Sequence, residues 1–227
     1  QKGGVFMYPI LLVFAVGMAI AVERWAQLNR IRSANHKIWN VLHPVLVKGE
    51  FDKARAIVKK DKSTISQMLG MGLARQGVVR RRDDIEIAME ESMMEIIPQL
   101  EKRTPYVALL SNIATLLGLL GTIMGLIAAF TAVANANPAE KADLLSASIS
   151  VAMNTTAFGL MCAIPLLLLH AKLTSTTGQI VDSLEMASVK ALNNISNFSR
   201  RHFEKKSEFS DGSQQVVIQK PQLGTAP

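Results

Sequence analysis

The side chains best suited to chemistry in this chain are polar groups set inside long apolar segments. Residues 144–171 carry hydroxyls and one amide among apolar side chains: Ser146, Ser148, Ser150, Asn154, Thr155 and Thr156. A hydroxyl can bond to its own helix backbone, so one or two of them would indicate little. A buried amide needs partners. Asn154 beside Thr155 and Thr156 therefore predicts either hydrogen bonds between helices or the lining of a watered pore.

Fixed charge is missing from the apolar segments, which lie at residues 5–22, 106–133 and 144–171 and contain no Asp, Glu, Lys or Arg. Proton relays through membranes usually use a titratable side chain, and a hydroxyl or an amide holds no proton at ordinary pH. His170 is the one candidate carrier, but its place at the end of the third segment fits an interfacial residue as well. A proton path along this chain therefore needs a carrier from another chain.

Small residues recur at helical spacing in the second and third segments. Thr115, Gly118, Thr122, Gly125 and Ala129 share one face of the second segment, and Gly121 forms a Gly-x-x-x-Gly pair with Gly125. Ala152, Thr156, Gly159 and Ala163 form a similar face on the third. Such faces let helix backbones approach closely in lipid. We expect Gly118, Gly121, Gly125 and Gly159 to pack helices. They do not form a phosphate loop, since no Lys-Ser/Thr follows them.

The three apolar segments are each long enough to cross a bilayer, and only helices suit such continuous apolar runs. A cleaved signal peptide is the alternative for residues 5–22, because Ala19-Ile20-Ala21 imitates a cleavage site. The positive charges mostly follow this segment rather than precede it, so we favour an uncleaved span. The chain begins with Gln1 rather than Met, and we expect further residues to precede it.

Basic residues set the expected orientation. Residues 23–105 hold 16 Lys/Arg, the segment from Lys172 onwards holds seven, and the loop 134–143 holds only Lys141. The positive-inside rule then places 24–105 and the C-terminus in the cytoplasm, and the N-terminus and the 134–143 loop outside. We expect a multi-pass protein of the bacterial inner (cytoplasmic) membrane.

The predicted fold class is an all-α integral membrane protein with three transmembrane helices and a helical cytoplasmic domain. Asp83 and Asp84 can cap a cytoplasmic helix that runs towards the second span, where Pro98 and Pro105 interrupt it. The expected organisation, in chain order, is 1–23 N-terminal segment and first span; 24–105 cytoplasmic helical region; 106–133 second span; 134–143 periplasmic loop; 144–171 third span; 172–206 cytoplasmic helix; and 207–227 disordered tail.

Several function classes are disfavoured by composition. The single cysteine, Cys162, lies inside an apolar segment and cannot support a disulfide framework, so we expect a buried apolar side chain. The net charge is +7, but the basic run Arg80-Arg81-Arg82 is typical of a solvated helix end or a lipid-facing patch, and we expect no nucleic-acid partner. No catalytic domain, cofactor motif or metal site is predicted, so we do not expect an enzyme.

Two signatures resemble the MotA/TolQ/ExbB proton-channel family. The first is Gly118-Leu119-Leu120-Gly121-Thr122-Ile123-Met124-Gly125-Leu126-Ile127-x-x-Phe130 on the second span. The second is Asn154-Thr155-Thr156-Ala157-Phe158-Gly159-Leu160, followed by Ala163-Ile164-Pro165, on the third. Lys2-Gly3-Gly4, Met7-Tyr8-Pro9 and Glu23-Arg24 resemble the family's N-terminal region. The resemblance covers about residues 1–200.

This resemblance implies a proton-channel or stator subunit that converts proton motive force into mechanical work for a cell-envelope machine. Such proteins form homopentamers around single-span ExbD/TolR-like partners that carry an intramembrane aspartate, and a TonB/TolA-like protein is a further partner that the resemblance allows. By position, Thr122 and Thr156 match the family's pore-facing threonines, and Thr155 and Asn154 lie beside Thr156. The implied pore lining is thus Thr122, Thr156, Thr155 and Asn154.

One position departs from the family. Enterobacterial relatives have a glutamate five residues before the third-span threonine, and Val151 occupies that position here. A mechanism that needs a carboxylate from this subunit is therefore in doubt. Three spans rather than four favour an ExbB/TolQ-like member. The competing function is a non-conducting membrane scaffold that recruits partners through its cytoplasmic helices.

Overall fold

A computed structural model describes residues 4–76, 82–134 and 136–218, with the side chains of residue 199 and of residues 201–218 outside the description. Arg80 and Arg81 of the basic run lie outside the described residues. Every regular element in the described part of the chain is a helix: α1 Met7–Val47, α2 Phe51–Lys60, α3 Thr64–Arg75, α4 Arg82–Glu101, α5 Thr104–Ala134 and α6 Lys141–Ile218. The predicted all-α class is confirmed.

Three helical stretches of the described residues are long and apolar enough to cross a membrane: Met7–Val47, Arg82–Ala134 (which takes in α4 and α5) and Lys141–Phe198. This confirms three membrane-spanning helices. α1 is longer than its apolar segment, since it continues without a break from residue 22 to Val47. A helix of 41 residues extends about 60 Å, twice the hydrocarbon thickness. No glycine or proline lies between Gly17 and Pro44 to end it sooner.

Gly49 ends α1. Its φ of +75° is a left-handed conformation that favours glycine, and the backbone N–H groups of Lys48, Gly49 and Glu50 bond back to carbonyls of the last helical turn. A Cβ at this position would also overlap the ring of Phe198 on α6. The turn and the close packing of an aromatic ring therefore both require glycine here.

The second apolar helix is separated from α4 by a short break at Lys102 and Arg103. α4 continues through Pro98, and Arg103 adopts a φ of +68° before α5 begins at Thr104. Pro105 occupies the second position of α5, where the missing N–H has no helical partner to lose. The interruption expected at Pro98 is therefore absent, and the chain turns just before Pro105.

α6 is a single helix of 78 residues that includes both the third span and the helix expected to follow it. It begins after a tight turn in which Glu140 N donates to Asn137 O at 3.0 Å. It continues to Ile218, which differs from the disorder expected from residue 207. No proline lies between Pro165 and Pro221 to end it, and residues 219–227 lie outside the described residues.

The chain divides into two compact units. The spanning unit comprises the described residues up to Ser33 together with Ile96–Asp182, and it holds the three apolar segments. Its buried cluster is formed by Ile10, Ala114, Cys162 and Ala163. The charged unit comprises Ala34–Glu95 and the described residues from Ser183 onwards. Its core is built from larger side chains, with Met68, Leu69, Leu73 and Met89 fully buried.

Candidate ion pathway and the helix contact beside it

The backbones of α5 and α6 come into direct contact at Gly118 and Gly159. A Cβ placed on Gly159 would lie 2.9 Å from both the Cα of Gly118 and the carbonyl oxygen of Ala114, closer than real Cβ atoms approach. A Cβ on Gly118 would lie 3.3 Å from the Cα of Gly159. Backbone contact of this kind gives helices in lipid the packing that hydrophobic burial cannot supply there.

Gly121 and Gly125 extend the same contact along α5. A Cβ on Gly125 would lie 2.6 Å from the Cβ of Ala152, and one on Gly121 would overlap the methyl group of Thr155. All four glycines singled out in the sequence thus lie where α5 and α6 touch. The three glycines of α5 share one side of that helix, and this side faces Gly159 and Thr155 of α6.

Two of the hydrogen bonds between described residues cross the α5–α6 contact, one from each helix. Thr156 Oγ1 donates to the carbonyl of Gly118 at 2.8 Å, and Ser111 Oγ donates to the carbonyl of Ala163 at 2.8 Å. Ser111 is fully buried. Sequence reasoning missed Ser111. Its signal was its spacing, because Thr104, Ser111, Gly118 and Gly125 are seven residues apart and all are small or weakly polar.

The residues expected to line a pore divide into two pairs. Thr155 and Thr156 lie at the α5–α6 contact, where Thr155 is buried and donates to Val151 O of its own helix at 2.8 Å. Thr122 is half-buried and donates to Leu119 O of its own helix at 2.6 Å. Asn154 is exposed and has no hydrogen-bond partner among the described residues. Of these four residues, Thr156 therefore makes the bond between helices, and the lining of a pore by Thr122, Thr156, Thr155 and Asn154 stays a prediction.

The hydroxyl groups at this site have spare capacity. A threonine hydroxyl has one donor and two acceptor lone pairs, so Thr122 and Thr156 can each still accept a bond while donating to a carbonyl. Neither hydroxyl takes up an additional proton at ordinary pH. Among the described residues, no group of three or more His, Cys, Asp or Glu could hold a metal ion. His170 is half-buried on α6. Chemically, the arrangement can orient water or a carboxyl group.

Val151, at the position where the resemblance gives a glutamate in enterobacterial relatives, makes an apolar contact. A Cβ on Gly4 would lie 3.2 Å from Cγ1 of Val151, so the N-terminal backbone packs directly over this side chain. Gly4 has a φ of +68°. Val151 is half-buried beneath this segment, and the apolar side chain suits the local packing.

Arg24 is a further buried polar group that the sequence did not single out as buried. It is 2% exposed, donates to Gln27 Oε1 at 2.7 Å and to the carbonyl of Leu100, and its Nε has no partner among the described residues. Beside it, Glu23 pairs with Arg103 at 2.8 Å. Adjacent residues of α1 thus bind the end of α4, at Leu100, and the break that follows it, at Arg103. The sequence indicated Arg24 as a basic flank and as part of the N-terminal resemblance, but not as a buried side chain.

Comparison with known proteins gives consistent results. Residues 60–186 match the model of the MotA/TolQ/ExbB proton channel family. A putative biopolymer transport protein ExbB homolog of Methanothermobacter thermautotrophicus is 28% identical over 188 residues, which are 82% of this chain and 65% of that protein. The match therefore spans less than two thirds of the archaeal relative.

Two further relatives carry related names. A putative biopolymer transport protein ExbB-like 1 of Synechocystis is 28% identical over 188 residues, covering 80% of this chain and 71% of the relative. The Tol-Pal system protein TolQ of Haemophilus influenzae is 33% identical over 87 residues, 38% of each chain. The family match contains α5 and most of the spanning part of α6, including the glycine contact and the candidate ion pathway.

Proposed function

The chain belongs to the MotA/TolQ/ExbB proton channel family, and from this membership we propose that it is the channel-forming subunit of a proton-driven motor of the ExbB/TolQ type. In this proposal it converts proton motive force into mechanical work for a cell-envelope machine. The observation that carries the proposal is chemical. Thr122 and Asn154 are accessible polar groups in the apolar segments 106–133 and 144–171, and these segments contain no fixed charge that could carry a proton.

The proton carrier then comes from a second chain. The partner we propose is a single-span ExbD/TolR-like protein with an intramembrane aspartate, enclosed by several copies of the present chain, most simply five. Thr122 and Thr156 would accept a hydrogen bond from the protonated carboxyl group or from water, and each would have to give up its bond to a backbone carbonyl in order to donate to the ionised group. In this proposal the hydroxyl groups of the present chain orient water and the carboxyl group, and the partner's aspartate carries the proton.

The proposed location is the bacterial inner membrane, with residues 24–105 and the C-terminus in the cytoplasm and the N-terminus outside. The basic flank of the spans supports this orientation, because Arg24, Arg30, Lys102, Arg103 and Lys172 all lie near span ends on the same proposed side. A TonB/TolA-like protein is the further partner that this orientation and family membership allow.

Composition of the purified complex tests the assembly. The chain is co-expressed with the product of a neighbouring gene that encodes a single-span protein with an intramembrane Asp, purified in mild detergent and analysed by native mass spectrometry. We expect several copies of this chain, five in the simplest case, with the single-span protein bound. A monodisperse monomer, or an oligomer that never retains the single-span protein, would favour the non-conducting scaffold.

A further inference from the structure

One side of α4 in the charged unit is exposed and combines apolar and acidic residues. This α4 face consists of Ile87, Glu90, Glu91, Met94 and Glu95. Ile87 and Met94, seven residues apart, are 59% and 73% exposed, and the three glutamates flank them. None of these glutamates forms an ion pair among the described residues. Large apolar side chains framed by unpaired charge are typical of a surface that another protein covers.

A second exposed face in the same unit has the opposite charge. This α1 face consists of Lys37, Val41, Pro44, Val47 and Lys48. Val41 and Val47 are 54% and 58% exposed, and the two lysines stand at either end of the stripe. Neither lysine has an ion pair in the described part of the chain. The α1 face therefore matches the α4 face in its apolar centre and complements it in charge.

We propose that the α4 face of one copy of this chain docks on the α1 face of the next copy. Because both faces are exposed in a single chain, neither covers the other within that chain. Contact between two different faces is heterologous, and repeating it from copy to copy closes into a ring when the rotation allows. Opposite charges around apolar centres favour this pairing and disfavour contact between two like faces.

The proposal rests on the proposed function only in assuming that the chain assembles with copies of itself. It goes beyond that function by naming which surfaces meet outside the apolar segments. The occupant is a second copy because the complementary face is present in this chain. A basic segment of another protein is the competing occupant, and the experiment distinguishes it.

Zero-length coupling of the wild-type complex tests the pairing. A carbodiimide joins a carboxylate to an amine with loss of water only when the two groups touch, and a link between copies moves the chain to a dimer band on a denaturing gel. Mass spectrometry of that band should identify Glu90, Glu91 or Glu95 joined to Lys37 or Lys48.

Arginine variants provide matched controls. Lys37→Arg/Lys48→Arg keeps both charges but removes the reactive amines, so the dimer band should fall at least about tenfold, since coupling needs ion-pair contact distance. Lys59→Arg/Lys60→Arg makes the same change on the exposed end of α2 and should leave the band unchanged.

Three outcomes would overturn the proposal: the glutamates joined to lysines within one copy, the glutamates joined to another protein, or a dimer band that Lys37→Arg/Lys48→Arg does not change. Native mass spectrometry of the same sample separates this failure from that of the proposed function. An intact oligomer without these links would contradict only the proposed contact between the α4 face and the α1 face. A monomer would contradict the assembly itself and therefore both proposals.

Discussion

The two units of this chain pack their helices in different ways. In the spanning unit, α5 and α6 touch through glycine backbones, as Gly118 and Gly159 do, and two hydroxyl groups bond across the contact. In the charged unit, α3 and α4 meet through larger side chains, as where Gly72 receives Met89. Hydrophobic burial drives the second kind of contact in water, whereas helices in lipid must rely on close approach and hydrogen bonds.

The hydrogen-bond partners of polar side chains also differ between the two units. The charged unit contains a network in which Asp61 accepts hydrogen bonds from Ser63 and Ser66, and a pair in which the side chains of Asn35 and Thr64 bond to each other. In the apolar helices α5 and α6, the hydroxyl groups donate mainly to backbone carbonyls. A carbonyl is always close by in a helix, so these four hydroxyl groups find an acceptor without adding charge in lipid, whereas the buried hydroxyls of Thr104 and Thr177 have no partner among the described residues.

The largest difference that we expect between two regions is in their reaction with a thiol reagent outside the cell. This difference should be close to all-or-none. In a Cys162→Ser background, a single cysteine at Lys59 in the charged unit and one at Asn137 in the turn before α6 should label oppositely with a membrane-impermeant thiol reagent added to whole cells. Asn137→Cys should react and Lys59→Cys should not, because the basic flanks place residue 59 in the cytoplasm. Equal labelling of both from outside would contradict the proposed orientation.

Adding one methyl group should separate the two kinds of packing. Gly159→Ala forces a Cβ against backbone atoms of α5 that cannot yield, so it should destabilise the protein by about 2 kcal/mol. Gly72→Ala places its Cβ 2.7 Å from Cγ of Met89, whose flexible chain can shift, so the change should stay within about 1 kcal/mol of wild type. Thermal unfolding in detergent measures both.

Gly178→Ala is the control for those two variants. Nothing lies within 4 Å of the added Cβ, so this variant should be neutral or more stable by up to about 1 kcal/mol, the helix preference of alanine over glycine. Equal losses in Gly159→Ala and Gly72→Ala would show that backbone contact is not what distinguishes the spanning unit.

The cross-helix hydroxyls should contribute little to stability. Thr156→Val and Ser111→Ala each remove one bond between α5 and α6, which should cost about 0.6 kcal/mol apiece. Thr122→Val loses only a bond within its own helix and should be as stable as wild type. If Thr122 faces the ion path, its loss should reduce proton flux far more than stability. Wild-type flux in Thr122→Val, Thr156→Val and the double variant would leave only the packing role.

The smallest expected effect is a pH dependence in the charged unit. Burial raises the pKa of the Asp61 carboxyl, but hydrogen bonds from Ser63 and Ser66 outweigh it and hold the pKa below its ordinary value of 3.8. The ionised group therefore stabilises the fold above pH 3.8, and this contribution is lost as the pH falls through the lowered pKa. Asp61→Asn should be slightly less stable at pH 7, and its difference from wild type should disappear in acid. A difference that stays constant with pH would contradict this assignment.

Much of the spanning unit could be predicted from the sequence, because uncharged segments of bilayer length allow only helices. The lengths of α1 and α6 could not, since charged residues from Glu23 and from Lys172 onwards end the apolar pattern without ending the helix. Hydropathy shows where a helix passes from lipid into water, because charged residues begin there. It does not show where the helix ends, because charged residues are compatible with a helix.

The candidate site was predicted in its composition but not in its geometry. Periodicity placed Gly118 and Gly159 on small faces, yet no pattern in one chain specifies that these two backbones touch. The neighbours Asn154, Thr155 and Thr156 point in different directions from one helix turn, so their polarity alone could not separate the exposed amide from the buried hydroxyl. Ser111 was missed because one serine in an apolar run gives no signal until its seven-residue spacing from Gly118 is considered.

Proton flux into liposomes tests whether this chain forms the wall of a proton path whose carrier belongs to a partner. The purified complex, the chain alone, and a complex whose partner carries Asn in place of its intramembrane Asp are compared under an imposed membrane potential with a pH-sensitive dye inside. We expect proton flux only in the purified complex with the intact aspartate. Equal flux through the chain alone, or no flux through the intact complex, would contradict it.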